Sequence, residues 1–302
     1  MDEINFYHRH RFLQGLENLN FKGNYRLVNL LSRLLLPKPH GELILRTIYG
    51  FPLLINPKLD EGVEEGLYYT GSYEKGTLHF MQQFLKPGDV FVDAGANIGL
   101  MTVFAAKLLG DLGNVLAFEP NPETKKILDF NIALNHLNNV AAFGLGLGTE
   151  SKTAPLYTNW HINRGAASLL KPEIQSDHFE VKIERLDDYF PEQMPVHLIK
   201  IDVEGYEPAV LQGALGILTR KNAPALIIEN NDIQHQGMDG KKNLRSWLKG
   251  INAYRFFMLR KGKGRISSLI ELQETTPIPP FNNIFCLLEE HIESLPAQFF
   301  NA

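Results

Sequence analysis

One stretch constrains the fold of this chain more than any other: Val90-Phe91-Val92-Asp93-Ala94-Gly95-Ala96-Asn97-Ile98-Gly99. It reads as a buried strand that stops at an acid, crosses a glycine turn and enters a helix. A second apolar strand, residues 115–118, follows and ends in Glu119-Pro120-Asn121. An apolar strand, a close-approach turn and an acid on the next strand tip together describe a nucleotide-type cleft in a parallel sheet. The plain alternative is an ordinary strand-turn-helix whose aspartate caps the helix.

The residue at position 93 selects among nucleotides. A dinucleotide diphosphate calls for Gly-x-Gly-x-x-Gly, because the backbone must approach two anionic phosphates. Here Asp93 holds the first glycine position, where a carboxylate would repel a pyrophosphate. An aspartate suits an ammonium instead. Gly95 and Gly99 still allow a tight turn and close helix packing, and the helix N-terminus from about Asn97 can meet a carboxylate. S-adenosylmethionine carries an ammonium, a carboxylate and a ribose, and Glu119 would accept both ribose hydroxyls.

The pattern along the chain predicts an α/β protein. Residues 1–40 read as helix, with Phe12, Leu16, Leu19, Leu27, Leu30, Leu31, Leu34 and Leu35 at helical spacing, ended by Pro37 and Pro39. A hairpin is expected over 43–55. Central strands follow at 90–92, 115–118, 140–143, 196–201 and 224–228, with helices between them; 153–157 and 179–183 are less regular strands. Late strands at 254–259 and 283–288 are expected to pair antiparallel at an edge. Apolar runs without alternation mark strands covered on both faces. The expected organisation is an N-terminal helical and hairpin extension, 1–72, and a doubly wound nucleotide-binding domain, 73–302.

Bulk properties narrow the partners. The net charge of -4 gives no basic footprint for nucleic acid. The single cysteine, Cys286, rules out an intrachain disulfide and a cysteine zinc site, and a buried inert thiol is expected. The apolar run 27–36 is too short and too interrupted to span a bilayer. The first 14 residues are charged and histidine-rich, unlike a signal peptide, so a cytoplasmic protein is expected. The N-terminal helices are a candidate homodimer surface.

Several blocks in order resemble the FkbM family of S-adenosylmethionine-dependent methyltransferases. They are Thr70-Gly71-Ser72-Tyr73-Glu74, Pro87-Gly88-Asp89-Val90, the glycine segment, Phe118-Glu119-Pro120-Asn121, Leu186-Asp187-Asp188-Tyr189 and Ile199-Lys200-Ile201-Asp202-Val203-Glu204-Gly205-Tyr206-Glu207. The last block narrows the resemblance to this family. It implies a class I methyltransferase fold, Rossmann-like with seven mostly parallel strands, and usually O-methylation of sugars or natural products. By the same resemblance Asp93, Gly95, Asn97 and Gly99 line the methionine end, Glu119 holds the ribose and Glu74 closes over the cofactor from the N-terminal side. Ala96, Pro120, Asn121, Asp202 and Leu147, the last by the adenine, complete the expected cofactor site. One departure is Gly146-Leu147-Gly148-Thr149, where the family often has Ala-Leu-Gly-Asp.

Asp202, Glu204 and Glu229 are the candidate catalytic acids: Asp202 near the methionine end, Glu204 or Glu229 as base or acceptor anchor. Gly205 breaks the strand and can swing Glu204 into the cavity. A divalent cation on Asp202, Glu229 and Asn230 is conceivable, but capping or direct binding of acceptor hydroxyls is the favoured role. Trp160 and His161, with Asn163 and Arg164, could form a lid. His197 reads as a core histidine and His235 as a weak base candidate. Lys261-Gly262-Lys263-Gly264-Arg265 reads as a flexible turn rather than a phosphate grip. The competing functions are N-methylation of a peptide amide side chain and a nonenzymatic or dehydrogenase-type Rossmann protein. The acceptor is expected to be a small molecule, glycan or peptide.

Overall fold

The computed structural model describes residues 3–18, 24–60, 62–159, 163–170, 177–230, 244–273 and 276–300. Trp160, His161, Asn231, Asp232 and His235 lie outside them. The first described elements are a short strand β1 (Glu3–Ile4), helices α1 (Tyr7–Asn18) and α2 (Asn24–Leu35), the hairpin β2 (Leu43–Arg46) and β3 (Pro52–Ile55), and α3 (Val63–Thr70). Helix α2 ends just ahead of Pro37, as the loss of a backbone donor requires. Its leucines 27, 30, 34 and 35 are exposed. Asn131 receives the Leu54 N–H and donates to the Leu54 carbonyl, while Asn135 donates to the Pro52 carbonyl. These bonds tie the hairpin to the α/β layer.

The α/β layer follows in order: α4 (Lys75–Phe84), β4 (Val90–Ala94), α5 (Leu100–Leu109), β5 (Asn114–Phe118), α6 (Pro122–Leu134), β6 (Val140–Phe143), β7 (Gly146–Leu147), β8 (Lys152–Asn159), β9 (Asn163–Ser168) and β10 (Asp177–Glu184). Then come β11 (Leu198–Ile201), α7 (Glu207–Gln212), α8 (Leu215–Leu218), β12 (Ala225–Asn230), α9 (Leu244–Ile251), β13 (Arg255–Leu259), β14 (Leu269–Glu271), β15 (Asn282–Leu287) and α10 (Glu289–Ser294). Pro122 takes the first turn of α6 behind the N-cap Asn121, whose Oδ1 accepts the Glu123 N–H.

The central sheet runs β14-β13-β15-β12-β11-β4-β5-β6. β4, β5, β6, β11 and β12 are parallel, and β15 runs antiparallel between β12 and β13. The chain order reverses between β4 and β11, which places a ligand crevice at their C-terminal tips. This is the expected class I methyltransferase arrangement with an eighth short strand, β14, on the edge beyond β13. The late strands therefore pair antiparallel as expected but do not end the sheet.

Alternate residues of one strand serve opposite cores. Phe91, Leu198, Ile227 and Phe285 pack with α4 and α5. Val92, Ile199, Ile201, Leu226 and Ile228 pack with α7, α8 and α9. Both faces are covered, so the strands read as continuous apolar runs. A smaller sheet, β7-β10-β8-β9, arises from the irregular region after β6. Cys286 is fully buried in β15, and burial pushes its thiol up out of the reactive range. His197 differs from the expectation. It precedes β11, its side chain is 36% exposed, and its Nδ1 accepts the Val90 N–H. It lies at the end of the strand away from the crevice. No helix among the described residues is long and apolar enough to cross a membrane.

Candidate active site

The crevice holds a cleft of about 1200 Å³, its solvent mouth included, lined from β4, β5, β7, β11, β12 and the turn after β13. At its centre β4 ends and the chain turns through Gly95, φ +82°. A Cβ there would sit 1.9 Å from the Asp202 carbonyl oxygen, so only glycine lets the tips of β4 and β11 meet. The Gly95 and Ala96 N–H groups both donate to the Phe118 carbonyl at 3.0 Å. Gly99, φ +92°, would place a Cβ 2.6 Å from Leu128, so its role is packing α5 against α6. Helix α5 starts at Leu100, slightly later than expected.

Two acids sit beside this turn. Asp93 accepts the Thr102 hydroxyl on Oδ2 at 2.6 Å, while its buried Oδ1 has no partner among the described residues. Burial pushes its carboxyl up to about 6, against the pull of Lys200 and Thr102. Glu119 receives the Asn97 N–H at 2.8 Å on one oxygen and the Asn121 N–H at 3.0 Å on the other. Burial outweighs these bonds and raises it to about 7. Asn97 Oδ1 and Thr124 Oγ1, both in the cleft wall, are also buried without partners among the described residues. Ala96, Pro120 and Leu147 line the same space. Asn121 contributes through its backbone and its cap of α6.

A second cluster occupies the tips of β11 and β12. Lys200, its side chain 5% exposed, donates to Asp202 Oδ2 at 2.7 Å. Burial opposes the charges of both, yet Lys200 and Lys263 hold the Asp202 carboxyl down at about 2. Glu229 hydrogen bonds to Asp202, and burial followed by the Asp202 charge pushes it up. Glu74, the left-handed residue that starts α4, offers Oε1 to Lys263 Nζ at 2.9 Å and Oε2 to Asn283 Nδ2 at 2.8 Å. Lys263 also donates to Glu229.

Glu204 stands apart from these pairs. It takes φ +51° before Gly205 at +96°, and its carboxyl, half-buried at the cleft wall, has no hydrogen-bond partner among the described residues. Burial, then the charges of Asp202 and Glu229, raises it to about 8. The loop around it is held by Glu207, which accepts the Val203 and Gly205 N–H groups at 3.3 and 3.2 Å. Ser168 of β9 donates to the Glu204 carbonyl at 2.8 Å.

The structure thus brings Asp93, Glu119, Asp202, Glu204, Glu229 and Glu74 to one cleft. For a metal, the oxygens that gather within 4.8 Å belong to Glu74, Asp202 and Glu229. Asn230, expected in that set, donates its amide to the carbonyls of Ile278 and Pro279. Lys200 and Lys263 were absent from the expected site. Lys200 carried a usable signal, because a lysine flanked by buried isoleucines in a central strand demands a counter-charge. Lys263 carried none that distinguishes it from Lys261.

The family model for the methyltransferase FkbM domain matches residues 93–258. Among curated proteins, Methyltransferase sdnD of Sordaria araneosa is 33% identical over 40% of this chain. Methyltransferase 1 of Beauveria bassiana (strain ARSEF 2860) is 31% identical over 42%. Each match spans 59% of the relative's own length. Among solved structures, methyltransferase FkbM from Methylobacillus flagellatus KT is similar at a TM-score of 0.43 and 16% identity, over 74% of this chain and 52% of that one. A SAM-dependent methyltransferase from Aquifex aeolicus gives 0.34 and 12%, over 70% and 88%.

Proposed function

Because the chain belongs to the FkbM methyltransferase family, we propose that it transfers a methyl group from S-adenosylmethionine to a hydroxyl oxygen of a sugar, glycan or natural product. The observation that carries the reading is the acid pair Asp93 and Glu119 on adjacent strand tips, with Asp93 Oδ1 buried and without a partner among the described residues. A buried acceptor left unmade is costly, and an ammonium would satisfy it. Each Glu119 oxygen already accepts one N–H and keeps a second lone pair, which suits the two hydroxyls of a ribose. Asn97 and Thr124 offer further polar atoms in the same wall.

When bound, S-adenosylmethionine supplies an electrophilic methyl group on a positively charged sulfur. The protein's part is to orient the acceptor and take its proton. Orientation can contribute about 7–11 kcal/mol. Glu204 is the base: it faces the cleft without a side-chain partner among the described residues, and its ionisation at about 8 lies near working pH, where a base adds about 10²–10⁴ in rate. Asp202, already matched by Lys200, positions rather than titrates. The carboxyl-rich acceptor side (Glu74, Glu204 and Glu229) offers many hydrogen-bond acceptors, which suits a polyol. Leu156 of β8 and Leu169, just past β9, supply an apolar wall against water.

Calorimetric titration with S-adenosylmethionine, S-adenosylhomocysteine and NAD tests the cofactor. Binding of NAD alone would remove the reading. Mass spectrometry of free sugars, nucleotide sugars, glycans and peptides incubated with the protein and methyl donor tests the acceptor, and methylation confined to peptide amides would replace oxygen with nitrogen. The exposed leucines of α2 are the surface on which a homodimer would form, to be checked by light scattering.

A further inference from the structure

The turn joining β13 to β14 looks like a surface connection in the sequence, yet it is docked from two sides. The Gly76 N–H at the start of α4 donates to the Lys263 carbonyl at 2.9 Å, and the Lys263 N–H reaches Asn282 Oδ1 at 3.4 Å. A Cβ on Gly76 would meet the Arg265 carbonyl at 2.5 Å and that of Lys263 at 2.9 Å, so a bare α-carbon there lets the turn come down onto the helix. The result is a lysine carried into the cleft. Its side chain is only 15% exposed, and the carboxylates it touches, Glu74 and Glu229, are 3% and 7% exposed.

The geometry points to Lys263 as a resident cation. Its ammonium takes the place that Glu74, Asp202 and Glu229 would otherwise offer a divalent ion, and it presents a fixed positive charge to the acceptor without any metal. The three carboxyls gather within 4.8 Å of one another, close enough to share an ion. With Lys263 in place they are balanced by two ammoniums and by the hydrogen bond between Asp202 and Glu229. A divalent ion could enter only by expelling Lys263 from both of its partners. An ammonium has three donors. Among the described residues Glu74 and Glu229 take two, which leaves one for an acceptor oxygen. Lys263 is therefore a positioning and specificity residue for acceptors rich in hydroxyl oxygens. Its use with an acceptor rests on the methyl-transfer reading; its exclusion of metal does not.

The test is a manganese(II) titration of the full chain followed by electron paramagnetic resonance. Wild-type protein is expected to bind no manganese at the cleft up to about 1 mM. Lys263→Met is expected to gain one ion, at least about tenfold tighter than any wild-type binding, and the double variant Lys263→Met/Glu74→Gln to lose it again. One ion taken up by the wild type below 1 mM and lost in Glu229→Gln would overturn the inference. So would a folded Lys263→Met that gains none. Should Lys263→Met fail to fold, the wild-type titration decides alone. Independently, methyl transfer is expected to survive a chelator, and chelator inactivation reversed by magnesium would overturn the proposal. Calorimetry with the methyl donor on the same wild-type sample separates the readings, because intact donor binding with a failed manganese result leaves methyl transfer standing.

Discussion

Replacing Gly95 by alanine tests how the two halves of the sheet meet at the site. The added Cβ would lie 1.9 Å from the Asp202 carbonyl oxygen, where real contacts stay above 3.0 Å. The tips of β4 and β11 must therefore part by about 1 Å, a distance that interiors packed at crystal density do not absorb freely. That movement strains two hydrogen bonds at 3.0 Å, Gly95 N–H to Phe118 and Asp202 N–H to Ala94. Each is worth about 1 kcal/mol. Alanine at φ +82° adds about 1–2 kcal/mol. The total, roughly 3–4 kcal/mol, corresponds to a fall in melting temperature of roughly 5–6 °C for a chain of 302 residues. Thermal unfolding followed by circular dichroism measures the fall. Calorimetry with S-adenosylhomocysteine should show weakened binding, because the same movement displaces the loop beside Asp93. A Gly95→Ala protein that melts within about 2 °C of wild type and binds with unchanged affinity would refute the close-approach argument.

Other outcomes follow from the charges. With Asp93 as the proposed partner of the ammonium, affinity for S-adenosylmethionine should fall as pH drops through about 6, the value to which burial raises its carboxyl, by up to about tenfold per unit. Asp93→Asn should bind weakly and lose the fall near pH 6, keeping only what Glu119, raised to about 7, contributes; a flat wild-type profile between pH 5 and 8 would contradict this. Glu204→Gln should keep donor affinity and lose about 10²–10⁴ in turnover. The Glu204 carboxyl is raised from its ordinary 4.5 to about 8 on folding, so it destabilises the fold increasingly as pH rises from 4.5 to 8. The glutamine variant should therefore be more stable than wild type at pH 8 and equal to it below 4.5; urea unfolding that found it weaker at pH 8 would exclude the assignment. Lys200→Met leaves buried Asp202 without its nearest counter-charge and should cost about 3–5 kcal/mol, partly recovered when Asp202→Asn is added. Equal urea midpoints for the single variant and wild type would argue against the pair.

The central sheet was legible because its strands are buried on both faces, so Val92, Leu116 and Ile227 sit in uninterrupted apolar runs and Ile199 in one broken only by Lys200. The glycine turn and the acids at positions 93, 119, 202 and 229 were legible for a related reason: each follows such a run at the tip of a parallel strand. Lys263 was not, since its role depends on contacts with Glu74 and Glu229, 189 and 34 positions away. Within Lys-Gly-Lys-Gly-Arg no local pattern separates an anchored lysine from a solvated one. His197 misled because its apolar flanks suggested burial, whereas it stands at the strand's entrance, where the side chain can meet Asp89 and the Val90 N–H. The short strand β14 has only three residues, too few for period-two alternation to register.

Glu204 sits at a backbone angle that glycine would occupy with less cost, by about 1–2 kcal/mol. This has a practical consequence for anyone engineering the protein. A library ranked by heat resistance alone would enrich Glu204→Gly and Glu204→Asn, and would report as its best scaffolds the ones that lack the proposed base. Selection for robustness at this loop has to be paired with a product readout, since with Glu204 as base the sturdier polypeptide and the working catalyst are different molecules.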